Sequence, residues 1–403
     1  MSSGGGLVSR RHLLTTGAAA GVGAAVLVGA EAAAQRPPGR DAATPERNGL
    51  VTEPFYGEHQ QGIAMAPQSF QNLVALRLLP GTTAADLQRM LRLLTDDAAR
   101  MSQGLPALAD PEPEFASTPA RLTVTIGFGP AVVRLVRGAA AVPSWLGPLE
   151  AFPIDQLDPA WNDGDVLLQV ASDDPVTLAH STRMLLKDTR SFSSVMWVQH
   201  GFRAAHGSEA PGTTMRNLLG QVDGTVNPVP GTEEFERVVW RDDDWLAGGT
   251  TLVIRRTELL LDKWDRLDRS GREASVGRTL DNGAPLTGRD EHDEPDFEAR
   301  TPVGFPVIPE FSHIRRARPV DPREKIFRRG YSYELGGSGV VVSDAGLIFT
   351  SFQADLEAQF LPIQRRLAEL DLLNEWTTPI GSAVFAIPPG TTEGGYIGEG
   401  LFT

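Results

Sequence analysis

Between Leu73 and Ile387 the same order of apolar runs and one-faced helical stretches occurs twice, and few folds accommodate that order. The first pass opens with Leu73 to Leu79, an apolar strand candidate, followed by Gly81-Thr82-Thr83. Thr83 with Asp86 three residues on has the form of a capping box, and Leu87, Met90, Leu91 and Leu94 recur on one helical face. Leu122 to Ile126 alternates as a half-buried strand does, and a short helix begins at Pro130. Asp165 to Ala171 is a third element, Asp174-Pro175 caps and starts a helix running through Leu186, and Ser194 to Val198 is a further strand. The second pass reads Thr250 to Arg255 as strand, Glu258 to Leu267 as helix, and Lys325 to Tyr333 and Ala345 to Phe352 as strands. Ala354 to Leu373 then reads as a long amphipathic helix with Phe360, Ile363, Leu367 and Leu370 on one face, and Ser382 to Ile387 closes the set. Each pass is β-α-β-β-α-β, which predicts an α+β fold of duplicated ferredoxin-like units with antiparallel sheets, over residues 53–219 and 220–403.

The second unit carries a long polar insertion, Gly271 to Pro309, of the kind that more often covers a site than lies idle. Its acidic stretch Asp290-Glu291-His292-Asp293-Glu294 reads as a solvated loop before it reads as a cation site. At the other end of the chain, Ser9-Arg10-Arg11-His12-Leu13-Leu14 precedes a mildly apolar Gly/Ala-rich run and the small residues Ala32-Ala33-Ala34. Residues 1–34 are therefore expected to be a twin-arginine signal peptide, with the protein exported to the periplasm or the extracellular space. The apolar run is only about half the roughly 20 residues a membrane-spanning helix needs, so no integral membrane segment is expected after processing. Twin-arginine export carries folded proteins, often with cofactor already inserted. Residues 35–52, rich in Pro, Gly and charge, read as a disordered linker.

A formal charge of −14 repels nucleic acid and anionic membrane surfaces, so neither is expected as a partner. With no cysteine in the chain there is no disulfide, no thiolate metal site and no covalent haem attachment. Two motifs remain that carry chemistry. In Phe311 to Tyr333 a single imidazole, His313, is followed at once by arginines and then by an alternating segment. That pattern suits an anionic ligand that also needs one nitrogen donor, as haem does with its two propionates and iron. A loop with solvated arginines suits it as well. In Gly220-Gln221-Val222-Asp223-Gly224-Thr225 two glycines flank an aspartate, so that backbone and one carboxylate can approach a ligand face; a plain turn has the same form.

Gly220 to Asn227, the His313 segment, Phe327 to Tyr333, Gly346 to Gln353 and Gly381 to Phe385 stand in the order seen in dye-decolourising peroxidases, which this chain resembles from Pro54 to Gly390. Glu53 to Gln60 and the export signal resemble most the secreted branch that includes the deferrochelatase-type proteins of bacterial iron uptake. The resemblance implies one non-covalent haem b per chain, bound mainly by the C-terminal unit. It places the proximal iron ligand at His313, the distal aspartate at Asp223 and the distal arginine at Arg328. Strand alternation lets only one of Arg328 and Arg329 face the iron. Arg315, Gly224, Thr225, Arg329, Phe349 and Phe352 are the further candidates for contact with haem, with Arg316 and Arg318 as alternative propionate partners.

The implied reaction reduces hydrogen peroxide and oxidises a bulky phenolic or dye-like reductant through an oxoferryl intermediate. A competing reading is a haem- or porphyrin-handling protein that releases iron, with components of an iron-uptake system as partners. Ferredoxin-like sheets also pair edge to edge or face to face, which admits a homo-oligomer. Tyr331, Tyr333, Trp264 and Trp376 are candidate electron relays for substrates too large to enter, although ordinary core packing is the commoner reason for each of them. An aspartate acid has a reference pKa of about 3.9 against about 6.5 for a histidine base, so dye oxidation is expected to peak on the acid side of neutrality. A pH-rate profile with its maximum well above neutral would contradict that assignment.

Overall fold

The computed structural model describes residues 47–340 and 342–403. The signal peptide read over 1–34 and most of the linker lie outside the described residues. The last linker residues are fixed to the fold: Arg121 donates its backbone N–H to Val51 O at 2.8 Å, and Asn48 Nδ2 bonds Asp173 Oδ2 at 3.2 Å.

The first unit comprises β1 (Phe70–Leu78), α1 (Ala84–Ser102), β2 (Thr123–Phe128), α2 (Pro130–Arg137), β3 (Val166–Ser172), α3 (Pro175–Thr189) and β4 (Ser193–Phe202). Its local signals act as the sequence predicts. Thr83 and Asp86 form a reciprocal capping box at the start of α1, and the Asp174 carboxylate accepts the N–H of Thr177 at the start of α3. The second unit comprises α4 (Glu233–Val239), β5 (Thr250–Leu259), α5 (Leu261–Trp264), α6 (Arg269–Val276), α7 (His313–Arg316), β6 (Phe327–Arg328), β7 (Tyr331–Glu334), β8 (Ala345–Gln353), α8 (Leu361–Leu370) and β9 (Thr377–Ile387).

Three expectations change here. The predicted helix over Glu258 to Leu267 begins as strand, because Glu258 and Leu259 pair with β8 on one side and β9 on the other. Of the predicted span only Leu261–Trp264 is helical, and a separate helix, α6, follows it from Arg269. The single strand predicted over Lys325 to Tyr333 breaks at Arg329-Gly330 into β6 and β7. The long helix expected over Ala354 to Leu373 begins instead with a single π-helical turn, Leu356–Phe360, and ends at Leu370. Asp371 is extended, with φ −71° and ψ 120°, and Leu370 on the predicted apolar face is exposed.

Strand order reveals the duplication. The first unit runs β4-β1-β3-β2 and the second β9-β5-β8-β7, the same order counted from each unit's first strand, with every pairing antiparallel. The two sheets join through β2 and β9 at Phe128↔Ala386 and through β4 and β7 at Phe202↔Ser332. Because β5 pairs with both β8 and β9, the nine-stranded sheet of the described residues closes into a barrel, with β6 added beside β8.

Alternation divides the core. Leu73, Ala75, Tyr331, Tyr333, Ile348 and Phe352 share the cluster inside the ring, whereas Val74, Leu76 and Val253 pack outward against α1, α3 and the π-helical turn. Inside the ring, β8 passes the Tyr333 ring so closely that a Cβ on Gly346 would lie 2.2 Å from it.

The β2–β9 seam is short, and a side chain extends it. Gln60, buried, accepts the Ile126 N–H at 2.8 Å and donates through Nε2 to Ile126 O and Pro388 O, each at 2.9 Å. Its carboxamide thus occupies the place a peptide unit of another strand would take. The neighbouring chain is held too, with Gly390 N–H on Glu58 O and Gly57 N–H on Thr391 O. The purpose of Glu53 to Gln60 is therefore to seal the barrel, and His59 serves it by stacking on Trp240 with ring centroids 3.8 Å apart. Gln60→Ala is expected to lower unfolding free energy by at least about 2 kcal/mol, since buried backbone groups lose their partner. Gln60→Glu is expected to cost more, because a carboxylate cannot donate to two carbonyls. Urea titration of the two variants measures both.

Candidate active site

His313 opens α7, directly after the fully buried Ser312, whose hydroxyl donates to Pro309 O at 2.8 Å. Phe311 O accepts the Leu372 N–H at 2.9 Å, which ties this corner to the chain leaving α8. There Asp371, buried, turns its carboxylate inward: Oδ2 lies 2.6 Å from His313 Nδ1, and Oδ1 accepts the Leu373 N–H at 3.0 Å. Burial works against a charged imidazole, but the Asp371 charge and hydrogen bond outweigh it and raise the His313 pKa above its ordinary value. With Nδ1–H directed at Asp371, Nε2 is the nitrogen left to bind a ligand or metal.

Asp223 lies in the loop that joins the two units. The Asp223 N–H donates to Met215 O at 2.8 Å, and the glycines flanking the loop take positive φ, 80° at Gly220 and 136° at Gly224. Arg328, on β6, meets it: Nη1 is 2.9 Å from Asp223 Oδ1, with both side chains about one-fifth exposed. Asn227 fixes the Arg328 backbone from both directions, donating to Arg328 O at 2.7 Å and accepting the Arg328 N–H at 3.0 Å. The charges of Arg328 and Asp223 act on the His313 imidazole in opposite directions, Arg328 lowering its pKa and Asp223 raising it.

Arg329 faces the opposite way and is corrected from a candidate haem contact to a structural residue. It is buried, and its guanidinium donates to Ile63 O at 2.8 Å, Met65 O at 2.6 Å and Gln68 Oε1 at 3.1 Å. Phe352 is corrected likewise. It stands three positions beyond Phe349 on β8 and so on the other face, and it is fully buried inside the ring near Phe327. Phe349 lies on the outer face beside Phe360, half-buried. Ser351, on that same face and paired with Arg328 in register, is fully buried with an Oγ that has no partner.

Arg315 donates to Phe297 O and pairs with Glu310 at 3.3 Å, while its buried Nε has no partner. Arg316 pairs with Glu369, and Arg318 with Glu294. Thr225, beside Gly224, donates its hydroxyl to Glu291 Oε1 at 2.8 Å. In the acidic stretch of the insertion, Asp293 closes a turn by accepting the N–H groups of Arg289 at 2.7 Å and Asp290 at 3.0 Å, as a capping carboxylate does. Trp264 and Trp376 meet edge to face at 5.1 Å in a separate cluster, and Trp264 donates to Leu219 O.

Asp371, Asn227 and Ser351 escape a reading of the sequence. Asp371 continues an amphipathic helical period, and only the end of α8 at Leu370 makes it an inward-facing group. Asn227→Ala is expected to destabilise the protein by about 1–3 kcal/mol, because it frees two backbone groups. Arg328→Ala removes a partly exposed ion pair and is expected to cost less than about 1 kcal/mol. Chemical denaturation of the two variants under identical conditions checks that order.

Profiles of the Dyp-type peroxidase family match residues 60–203 (N-terminal) and 214–392 (C-terminal). The chain is 38% identical over 358 residues to a dye-decolorizing peroxidase of Thermobifida fusca, covering 85% of this chain and 83% of that protein. It is 37% identical over 371 residues to a deferrochelatase of Shigella flexneri, covering 87% of each. The crystal structure of a DyP-type peroxidase from Cellulomonas bogoriensis superposes with a TM-score of 0.86 at 52% identity, covering 89% of this chain and 99% of that one.

Proposed function

The chain belongs to the DyP-type peroxidase family, and on that footing we propose that Asp223 and Arg328 carry its peroxide chemistry on one face of a haem that His313 holds from the other. The protein is a haem-dependent peroxidase, reducing peroxide at the expense of an organic reductant. The residues present fit haem. His313 offers Nε2, Arg315 has a buried Nε without a partner, Ser351 has an unbonded hydroxyl, and Gly224 keeps the distal loop free of a side chain. These groups come from the C-terminal unit, which we take to hold most of the haem.

Bound haem supplies the redox chemistry, taking up the oxidising equivalents of peroxide and passing them to the reductant one electron at a time. The chain's own groups supply the rest. Asp223 takes the proton from one peroxide oxygen and delivers it to the oxygen that departs, directly or through one water. The Arg328 guanidinium, held 2.9 Å from Asp223 by a backbone that Asn227 clamps, stands where negative charge develops on the departing oxygen. A fixed donor in such a place contributes about 3 kcal/mol. Asp371 keeps the proton on His313 Nδ1, which leaves the Nε2 lone pair available, and would make the imidazole a stronger donor to the iron that His313 would hold.

The Asp223–Arg328 pair is the observation that carries this reading, because a carrier of haem has no use for a distal acid. Iron release from haem is the second reading, supported by the similarity to a deferrochelatase. Incubation with haem and peroxide separates the two, the first giving oxidised dye and the second fluorescent iron-free porphyrin. The paired Arg10-Arg11 before a Gly/Ala-rich run supports export by the twin-arginine route to the periplasm or beyond, where components of an iron-uptake system would be partners.

His313→Ala is expected to abolish stable haem binding, and a normal Soret band in that variant would move the ligand elsewhere. Asp223→Asn and Arg328→Leu are expected to stay folded and haem-loaded while reacting with peroxide at least about 100-fold more slowly. Stopped-flow mixing with peroxide reads this directly, and parental rates in both variants would refute the assignment.

A further inference from the structure

Residues 290–298 of the insertion touch both sides of the site. Toward Asp223, the Thr225 hydroxyl donates to Glu291 Oε1 at 2.8 Å, and Arg278 Nη1 donates to Glu291 O at 2.7 Å. Toward His313, Arg315 donates to Phe297 O and lies 5.0 Å from the Phe297 ring. Arg318 lies 5.6 Å from the same ring and pairs with Glu294. The segment is internally firm, with Asp293 closing one turn and Asp296 another by accepting the Glu298 N–H at 2.9 Å. Among the described residues no ladder of backbone bonds attaches it to either side; apart from the ring contacts, its anchors are five hydrogen bonds or ion pairs, the fifth from the Asp296 N–H to Thr287 Oγ1 at 2.9 Å, each with at least one side-chain partner.

We propose that residues 290–298 are a strap across the open edge of the haem cleft, and that its release is the step that lets haem in and out. This rests on reading His313 and the Asp223–Arg328 pair as the two faces of that cleft. A flat ligand held between the two cannot leave past a segment fastened to both. Anchors of this kind open at small cost, since partly exposed ion pairs and single hydrogen bonds each contribute little. Glu291 and Glu294 are positioning residues in this device, and Arg315 serves both states, its main grip on Phe297 leaving Nε for an anionic group.

The test is the rate at which holoprotein surrenders haem to an excess of apomyoglobin, followed by the change in the Soret band. The double variant Glu291→Ala/Glu294→Ala is expected to release haem roughly tenfold faster, corresponding to about 1.4 kcal/mol of lost anchoring. The Soret position and the apoprotein's melting temperature should not change. Glu298→Ala removes an exposed carboxylate of the same segment whose side chain holds neither side, and it is expected to release at the parental rate. Release within about twofold of the parent in the double variant, or equal acceleration by Glu298→Ala, overturns the proposal. His313→Ala separates the two levels. If that variant retains haem, the reading of the cleft fails; if it loses haem while the strap variants release at the parental rate, the strap alone fails.

Discussion

A buried arginine sets the geometry on which the site depends. Arg329 is nearly inaccessible, and burial lowers its pKa from the ordinary guanidinium value. Desolvating a guanidinium is costly unless its donors are met; here Nη1 meets Ile63 O and Met65 O and Nη2 meets Gln68 Oε1, while Nε has no partner among the described residues. Those acceptors lie on the chain that follows Gln60, so Arg329 cannot exchange places with its neighbour. A slip of β6 by one residue turns every side chain to the other face, so that either Phe327 would stand opposite Asp223 or Arg328 would enter the apolar interior now filled by Phe327. The buried charge thus determines which arginine the Asp223 loop meets. The break of the strand at Arg329-Gly330 follows from the same anchorage.

Legibility in the sequence tracks how local the deciding interaction is. Every strand and connecting helix of the first unit can be read there, because its signals lie within a few residues: Thr83 with Asp86, Asp174 with Pro175, and the alternation of Leu122 to Ile126. The second unit is harder. Glu258 and Leu259 follow a helical pattern but are claimed by strands on both sides, a tertiary demand that no window of sequence contains. The pairing of His313 with Asp371 bridges chain that is distant in sequence, as does the clamp of Asn227 on Arg328. Asp223, Arg328 and His313 stand out from motif order, whereas the groups that orient them do not. The choice between Arg328 and Arg329 needs the acceptors around Ile63, far back in the chain.

The same division runs through the site itself. Each reactive group is a side chain whose backbone is held by an ordinary structural device: a corner tied to the chain after α8 through Phe311 O at His313, a two-way carboxamide clamp at Arg328, a glycine-flanked loop at Asp223. Positioning is therefore supplied by bonds that contribute to folding whether or not peroxide is present. Asp371 joins the two roles, since the carboxylate that caps the turn after α8 also orients the imidazole. A fold that made these contacts loosely would retain the residues and lose their direction.

The short seams of the barrel have a consequence for how such a protein could arise and fail. Each four-stranded half, taken alone, would present the outer margins of its end strands as rows of unsatisfied N–H and C=O groups, open to pairing with any passing chain. Joining two copies head to tail lets each half cover the other, with Gln60 completing the closure where backbone does not reach. Half a molecule would therefore be sticky as well as inactive. A nick or truncation in the loop between the halves would threaten solubility before it threatened catalysis.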